Sequence, residues 1–149
     1  MIKRNILFVC IHNSARSQMA EAFLQKYGSE AFEAESAGIE PGKLNPNVVK
    51  VMQEIGIDIS QNPTKSVFDI LKSGKQYDAV ITVCDAASAE ACPVFPGKTK
   101  RLGWSFTDPS SFKGSTEEIL VNTRKVRDEI KETVLAFIEE AKNLAYWTK

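Results

Sequence analysis

The feature that most constrains the fold is a short apolar run that leads directly into a polar loop and then into helical spacing. The run covers residues 6–9 (Ile-Leu-Phe-Val), and residues 10–17 follow as Cys-Ile-His-Asn-Ser-Ala-Arg-Ser. From residue 17 onward the apolar positions have helical spacing, with Met19 and Phe23 on one stripe. A strand, a loop and a helix in this order are typical of α/β folds, in which such loops lie at the carboxyl end of the sheet.

The loop carries residue types that bind and attack a tetrahedral oxyanion. Its backbone N–H groups and the N-terminus of the following helix supply hydrogen-bond donors and partial positive charge. Arg16 adds a planar guanidinium that matches two oxygens of such an ion. The same field favours the nucleophilic thiolate of Cys10, and Ser17 is placed to donate a hydrogen bond to its sulfur. The predicted oxyanion cradle consists of Ile11, His12, Asn13, Ser14, Ala15 and Arg16.

The rest of the chain alternates between strand and helix patterns. The sequence predicts strands at residues 5–10, 32–37, 78–84 and 99–104. It predicts helices at residues 17–27, 46–55, 66–72 and from 115 onward. This alternation implies a parallel sheet with helices on both faces and right-handed crossovers. We therefore expect one α/β domain over residues 1–149, with a four-stranded parallel sheet in the order 2-1-3-4.

Three chemically important groups follow strands of this predicted sheet. Cys10 ends the first strand, Cys84 ends the third, and Asp108-Pro109 follows the fourth. Ligands of such sheets bind at the carboxyl ends of the strands, beside the point where the strand order reverses. In the order 2-1-3-4 that point lies between the first and third strands. We therefore expect the three groups to converge at one edge of the sheet.

Composition limits the possible partners and the cellular compartment. Lysine plus arginine and aspartate plus glutamate number 19 each, which gives no overall attraction to nucleic acid or to an anionic membrane. The apolar stretch near the N-terminus ends at Ile11, too early for a secretory signal, and no later stretch has transmembrane length.

We expect a cytoplasmic protein, whose three cysteines serve catalysis, redox exchange or packing rather than a structural disulfide. Three cysteines and one histidine at these spacings form no familiar zinc site.

Four motifs carry a resemblance to a known family. They are Cys10-x5-Arg16-Ser17, Ser36-Ala37-Gly38, Asp108-Pro109 and the cysteine pair at positions 84 and 92. Together they resemble the thioredoxin-coupled arsenate reductases, which share the low-molecular-weight protein tyrosine phosphatase fold, and the resemblance covers nearly the whole chain. Its most discriminating part is the cysteine pair, since ordinary phosphatases of this fold need only the loop cysteine and the aspartate.

The resemblance implies reduction of arsenate to arsenite by a relay of three cysteines. Cys10 attacks arsenate held by the loop amides and Arg16, and Asp108 protonates the leaving oxygen as general acid. Cys84 then attacks Cys10 and arsenite leaves. Cys92 next attacks Cys84, and the disulfide between Cys84 and Cys92 is reduced by thioredoxin. Glutaredoxin remains open as the reductant. We expect a monomer that needs no cofactor.

The segment between the last two cysteines is alanine-rich and helix-prone. A helix over residues 84–92 would separate the two α-carbons by about 12 Å, at about 1.5 Å rise per residue. A disulfide tolerates only about 4.4–6.8 Å between α-carbons. We therefore predict that residues 85–91 are helical in the reduced protein and unwind on oxidation.

The chain departs from its relatives in several places. Seven residues separate Cys84 from Cys92, where some members have six, and position 15 is alanine, where many have cysteine. Some relatives bind potassium beside the loop through residues that match Asn13, Glu21 and Ser36 and through a nearby aspartate. Lys65 stands about where that aspartate would be, and its ammonium group could replace the ion. No metal site is therefore predicted.

Other interpretations of the same residues remain open. Cys10, Arg16 and Asp108 suffice for a phosphatase, although the acid loop lacks the aromatic residue that phosphotyrosine enzymes of this fold often carry directly after Asp-Pro. A redox sensor would need the cysteines but not Asp108. Cys84 could simply pack at the end of an apolar strand, and Asp108 could simply begin a turn. His12 is interpreted as a loop residue with modest electrostatic influence, while Trp104 and Phe106 could line the site or pack in the core.

Overall fold

The computed structural model describes residues 3–84 and 90–148, and its centre is a four-stranded parallel sheet. The strands run in the order β2-β1-β3-β4, and every neighbouring pair is parallel. Their bounds are β1 Arg4–Cys10, β2 Phe32–Gly38, β3 Ala79–Thr82 and β4 Lys100–Gly103. The predicted fold class and strand order are confirmed. The third strand ends two residues earlier than its β-branched run suggests, so Cys84 lies just beyond the sheet.

Helices cover both faces of the sheet. Their bounds are α1 Arg16–Gly28, α2 Pro46–Gln53, α3 Val67–Lys72, α4 Thr116–Ala141 and α5 Leu144–Trp147. The predicted cap of α2 is confirmed, because the Asn45 side chain accepts hydrogen bonds from two backbone N–H groups of its first turn. The single turn of α5 was not predicted, since four residues are too few to show a helical period. The helix predicted over residues 85–91 falls largely on residues 85–89, which lie outside the described residues.

The two faces of the sheet belong to two separate apolar clusters. Alternate residues of β1 point to opposite sides, so Ile6 and Phe8 join one cluster and Leu7 and Val9 join the other. The larger cluster packs against α1 and α4 and contains Cys10 and Cys84, whereas the smaller contains Cys92. The three cysteines are thus divided between the two sides of the sheet. No helix in residues 3–84 and 90–148 combines the length and the hydropathy that a membrane span requires.

Candidate active site

The loop between β1 and α1 is held from outside by the chain that follows β2. Four loop carbonyls accept hydrogen bonds of 2.7–3.0 Å from backbone N–H groups within residues 39–45. The accepting carbonyls are those of Cys10, Ile11, His12 and Ser14. Because the carbonyls turn outward, the loop N–H groups turn inward. Within the described part of the chain, no hydrogen bond is formed by the N–H groups of His12, Ser14 or Ala15, which are therefore available to an oxyanion.

A glycine at the end of β2 allows the loop to lie close to the sheet. A Cβ atom on Gly38 would stand 2.8 Å from the backbone of each of residues 11, 12 and 13. Backbone atoms cannot yield as a flexible side chain can, so any side chain at this position would displace the loop. Gly38 thus fixes the path of the oxyanion loop.

Asn13 organises the interior of the loop. Its backbone φ is +55°, a left-handed conformation that asparagine tolerates better than most residues. The backbone N–H of Lys65 donates to Asn13 Oδ1 at 3.0 Å, which identifies the oxygen end of the side-chain amide. The nitrogen end therefore faces the other way and donates to Ser17 Oγ at 2.8 Å and to Ser36 Oγ at 2.9 Å.

Cys10 lies at the centre of this network and is only 3% exposed. Its sulfur is 2.9 Å from Ser17 Oγ and accepts a hydrogen bond from the backbone N–H of Asn13 at 3.2 Å. Ser17 Oγ accepts from the Asn13 side chain, which leaves its own hydrogen able to donate to the sulfur. The Asn13 N–H and the Ser17 hydroxyl thus both contact Cys10 Sγ inside the loop.

Arg16 and Asp108 form the side of the site next to the loop. The buried Arg16 guanidinium donates to the carbonyl of Phe106 at 3.1 Å, and its Nη2 lies 3.6 Å from Asp108 Oδ2. The other carboxylate oxygen of Asp108 accepts from the backbone N–H of Ser110 at 2.9 Å. Asp108 therefore both begins a turn and faces Arg16, so the two interpretations of this residue are compatible. The adjoining cavity, the oxyanion cavity, has a volume of about 410 Å³ and is lined by Ile11, Arg16, Ser105, Phe106, Thr107, Asp108 and Glu129.

Cys84 lies beside this cavity rather than in it. It is buried in the same apolar cluster as Cys10 and lines a second cavity of about 350 Å³. The two cavities share Ser105. This second cavity, the Cys84 cavity, is lined by Thr82, Cys84, Glu90, Arg101, Gly103, Trp104 and Ser105. Cys10, Cys84 and Asp108 thus lie at the carboxyl end of the sheet, at or just beyond the strands that they follow.

Cys92 lies apart from the other two cysteines, on the opposite face of the sheet. It packs with Leu7, Val9 and Phe95. The Arg101 guanidinium donates to its backbone carbonyl at 3.1 Å. Burial raises the pKa of the Cys92 thiol, and the positive charge of Arg101 partly opposes that rise. All three cysteines belong to the described residues, and all three are thiols without a disulfide.

A cluster of charged side chains contacts Ser36, which in turn accepts a hydrogen bond from Asn13 of the loop. Ser36 Oγ donates to Glu21 Oε1 at 2.7 Å, and Lys65 Nζ lies 3.7 Å from Glu35 Oε2. Burial raises the pKa of Glu21, and the charge of Lys65 acts in the opposite direction. The Lys65 ammonium thus provides positive charge near both carboxylates. No group of three or more acidic, cysteine or histidine side chains suited to a metal ion occurs in residues 3–84 and 90–148.

Some site residues are not evident from the sequence patterns. Glu129 lines the oxyanion cavity, and the only signal for it is its place beside the buried stripe of α4 that includes Val126 and Ile130. Phe106 lines the oxyanion cavity and Trp104 the Cys84 cavity, while both also pack against the core, so the two interpretations of these aromatic residues hold together. The exposed ring of His12 turns outward, with Nδ1 2.8 Å from the carbonyl oxygen of Glu40.

Comparison with known proteins gives consistent matches. The profile of the family described as low molecular weight phosphotyrosine protein phosphatase matches residues 5–145. The arsenate reductase of Halalkalibacterium halodurans is 42% identical over 142 residues, which cover 95% of this chain and all of the relative. The crystal structure of an arsenate reductase from Archaeoglobus fulgidus superposes with a TM-score of 0.72 at 31% identity, covering 91% of this chain and 99% of that one. A thioredoxin-dependent arsenate reductase of Corynebacterium glutamicum gives a TM-score of 0.60 at 27% identity, covering 90% of this chain and 63% of that one.

Proposed function

The chain belongs to the low molecular weight phosphotyrosine protein phosphatase family, and from its match to arsenate reductases we propose that it reduces arsenate to arsenite with electrons from thioredoxin. The single observation that carries the chemistry is the environment of Cys10. Its sulfur accepts a hydrogen bond from the Asn13 N–H and contacts Ser17 Oγ, in a loop that also contains Arg16 and has N–H groups available to an oxyanion. This arrangement supports a thiolate that attacks a bound tetrahedral anion.

The first step forms a bond between sulfur and arsenic. Cys10 thiolate attacks the arsenic(V) atom while the loop amides and Arg16 hold the arsenate oxygens. One oxygen departs with a proton from Asp108, so that it leaves as water rather than as hydroxide. The 3.6 Å separation of Arg16 Nη2 and Asp108 Oδ2 supports these roles, because an anion bound by Arg16 would also be close to the acid.

The second step is the reduction itself. Cys84 thiolate attacks Cys10 Sγ, a disulfide forms between the two sulfurs, and the electron pair of the sulfur–arsenic bond passes to arsenic. The two thiolates thereby supply the two electrons that convert arsenic(V) to arsenic(III). The burial of Cys84 in the same cluster as Cys10, beside the oxyanion cavity, supports this assignment.

The third step transfers the disulfide toward the surface. Cys92 thiolate attacks Cys84 Sγ, Cys10 leaves as a thiolate, and thioredoxin then reduces the disulfide between Cys84 and Cys92. Because Cys92 belongs to the cluster on the other face of the sheet, this step requires the segment that carries Cys92 to move. We propose that residues 85–91 unwind during that movement.

A second activity follows from how the site is assembled. Cys10, Arg16 and Asp108 are brought together by the loop, by α1 and by the turn after β4, without any contribution from Cys92. These three groups suffice to hydrolyse a phosphomonoester through a phosphocysteine. We therefore propose weak arylphosphatase activity beside arsenate reduction.

The proposal includes a monomeric cytoplasmic enzyme with no cofactor. Each proposed catalytic group comes from the one chain described, so no partner subunit is needed to complete the site. Reduction by thioredoxin requires a reducing compartment, which the cytoplasm provides.

The test is arsenate-dependent oxidation of NADPH in the presence of thioredoxin and thioredoxin reductase. We expect turnover by the wild type and none by Cys84→Ser or Cys92→Ser, with arylphosphatase activity retained in both variants. Absence of arsenate turnover, together with robust phosphatase activity that is indifferent to both substitutions, would make the protein a phosphatase instead. Replacement of thioredoxin and its reductase by glutaredoxin, glutathione and glutathione reductase in the same assay identifies the reductant.

A further inference from the structure

Asn45 connects three parts of the site at once. Its backbone N–H donates to the carbonyl of Ser14 in the oxyanion loop at 2.9 Å. Its side-chain oxygen caps α2 by accepting from the N–H groups of Asn47 at 2.9 Å and Val48 at 3.3 Å. Its side-chain nitrogen donates to Ser110 Oγ at 3.0 Å. A single residue thus touches the oxyanion loop, a helix N-terminus and the turn that carries Asp108.

The contact with Ser110 leads directly to the proposed general acid. The backbone N–H of Ser110 donates to Asp108 Oδ1 at 2.9 Å, which leaves Oδ2 turned toward Arg16. Within the described residues, the bond from Asn45 is the only side-chain hydrogen bond between residues 109–112 and another element. This bond therefore ties Ser110, whose backbone N–H orients the Asp108 carboxyl, to the residue that also contacts the oxyanion loop.

We propose that Asn45 is a positioning residue that holds the Asp108 carboxyl at a fixed position relative to the oxyanion loop. The proposal rests on the general-acid role given to Asp108 above and adds the residue that keeps the acid aligned with the bound anion. Proton transfer in the transition state requires the acid within hydrogen-bond reach of the leaving oxygen. Asn45 links the loop to the acid, and its side chain is held at both ends of the amide, which provides that alignment.

The chemistry of the side chain explains why asparagine suits this position. Serine, threonine and aspartate also cap helices well, because each supplies an acceptor for the first turn. Among these capping residues, only asparagine carries an acceptor and an N–H donor on the same planar group, so it can cap α2 with one end and donate to Ser110 with the other. Asn45→Ser therefore keeps a cap while removing the amide N–H that donates to Ser110, and Ser110→Ala removes the acceptor.

The dependence on the leaving group separates positioning from a structural role. In the arylphosphatase reaction Cys10 forms a bond to phosphorus, the bond to the aryl oxygen breaks, and the proton of Asp108 passes to that oxygen. A good leaving group such as 4-nitrophenolate departs without much help, whereas phenolate needs the proton. Loss of the acid should therefore slow phenyl phosphate far more than 4-nitrophenyl phosphate.

The experiment measures kcat and kcat/KM with both substrates for the wild type, Asn45→Ser, Ser110→Ala, the double variant and Asp108→Asn. General acids contribute about 10²–10⁴-fold, so partial misplacement is expected to lower kcat/KM, which reports the step in which the aryl group leaves, about tenfold for phenyl phosphate and less than about twofold for 4-nitrophenyl phosphate. The double variant should be no slower than the worse single variant, because both substitutions break the same link. Asn47→Ala, on the same helix turn, is the control, and thermal melting checks that all variants are folded.

Two results would overturn the proposal in different ways. Equal losses on both substrates in Asn45→Ser, or losses that multiply in the double variant, would make Asn45 a structural residue while leaving the role of Asp108 intact. Equal losses on both substrates in Asp108→Asn would remove the general acid itself, and the role of Asn45 with it.

Discussion

The oxyanion loop and the Cys92 segment show how differently one chain can prepare two steps of a reaction. The sulfur of Cys10 already accepts a hydrogen bond from the Asn13 N–H and lies 2.9 Å from Ser17 Oγ, and the loop around it is held by four backbone bonds to residues 39–45. Cys92 is buried on the opposite face of the sheet among apolar side chains, and burial raises the pKa of its thiol. The difference indicates that anion capture is built into the resting fold, whereas disulfide transfer requires the fold to rearrange.

Each arrangement suits its task. Fixed donors stabilise charge that develops on a bound anion without any reorganisation at the moment of reaction. A thiol that is buried and protonated is a poor nucleophile, so in the proposed relay Cys92 attacks only after its segment has moved. The proposed relay thereby disfavours a premature disulfide between Cys84 and Cys92.

The largest expected effect tests the preformed region. Cys10→Ser removes the nucleophile of both proposed reactions and is expected to lower arsenate reduction and arylphosphatase activity by at least about a thousandfold. Steady-state rates of the two activities check this. Arsenate reduction that survives the substitution would show that the two activities do not both begin with attack by Cys10.

A smaller loss is expected from Arg16→Lys. Lysine keeps the charge but loses the planar fork that binds two oxygens and also donates to Phe106. Removal of one preorganised donor from an oxyanion site costs about 10²–10³-fold in kcat, and a loss of this size is expected for both activities. Retention of near-normal rates would mean that the loop amides alone hold the anion.

The same contrast explains what the sequence could and could not predict. Cys10, Arg16 and Ser17 lie within eight residues of one another, so local patterns sufficed to predict that they share one loop, and the topology rule placed Cys84 and Asp108 at the same end of the sheet. The importance of Gly38 and Asn45 arises from contacts with segments distant in the chain, which periodicity does not encode. The position of Cys92 could not be predicted either. The sequence predicts no strand that contains it, so no alternation assigns it to one face of the sheet.

A pH measurement sharpens the comparison at the Cys92 end. Because burial raises the pKa of Cys92 and Arg101 opposes that rise, the transfer of the disulfide from Cys10–Cys84 to Cys84–Cys92 should accelerate as pH increases above neutral. Arg101→Ala should move this profile to higher pH and slow transfer near neutrality by about three- to tenfold. Rapid quenching followed by mass mapping of disulfides measures the rate. Lys98→Ala, which removes an exposed charge before β4, is the matched control, and identical shifts in both variants would contradict the specific effect of Arg101.

The smallest effect is expected for potassium. Lys65 already supplies positive charge near Glu21 and Glu35, so wild-type kcat/KM for arsenate should differ by less than about twofold between KCl and NaCl at equal ionic strength. Lys65→Ala leaves those carboxylates without that charge and should introduce a preference for potassium. Strong potassium activation of the wild type would show that the Lys65 ammonium does not take the place of the ion.

The most direct test of the division between a preformed site and a moving relay is a single turnover of Cys92→Ser with excess arsenate and no thioredoxin. The account predicts one arsenite released per enzyme, together with a disulfide between Cys10 and Cys84, because capture and reduction are complete before Cys92 is needed. Absence of arsenite, or arsenite released without that disulfide, would contradict the account.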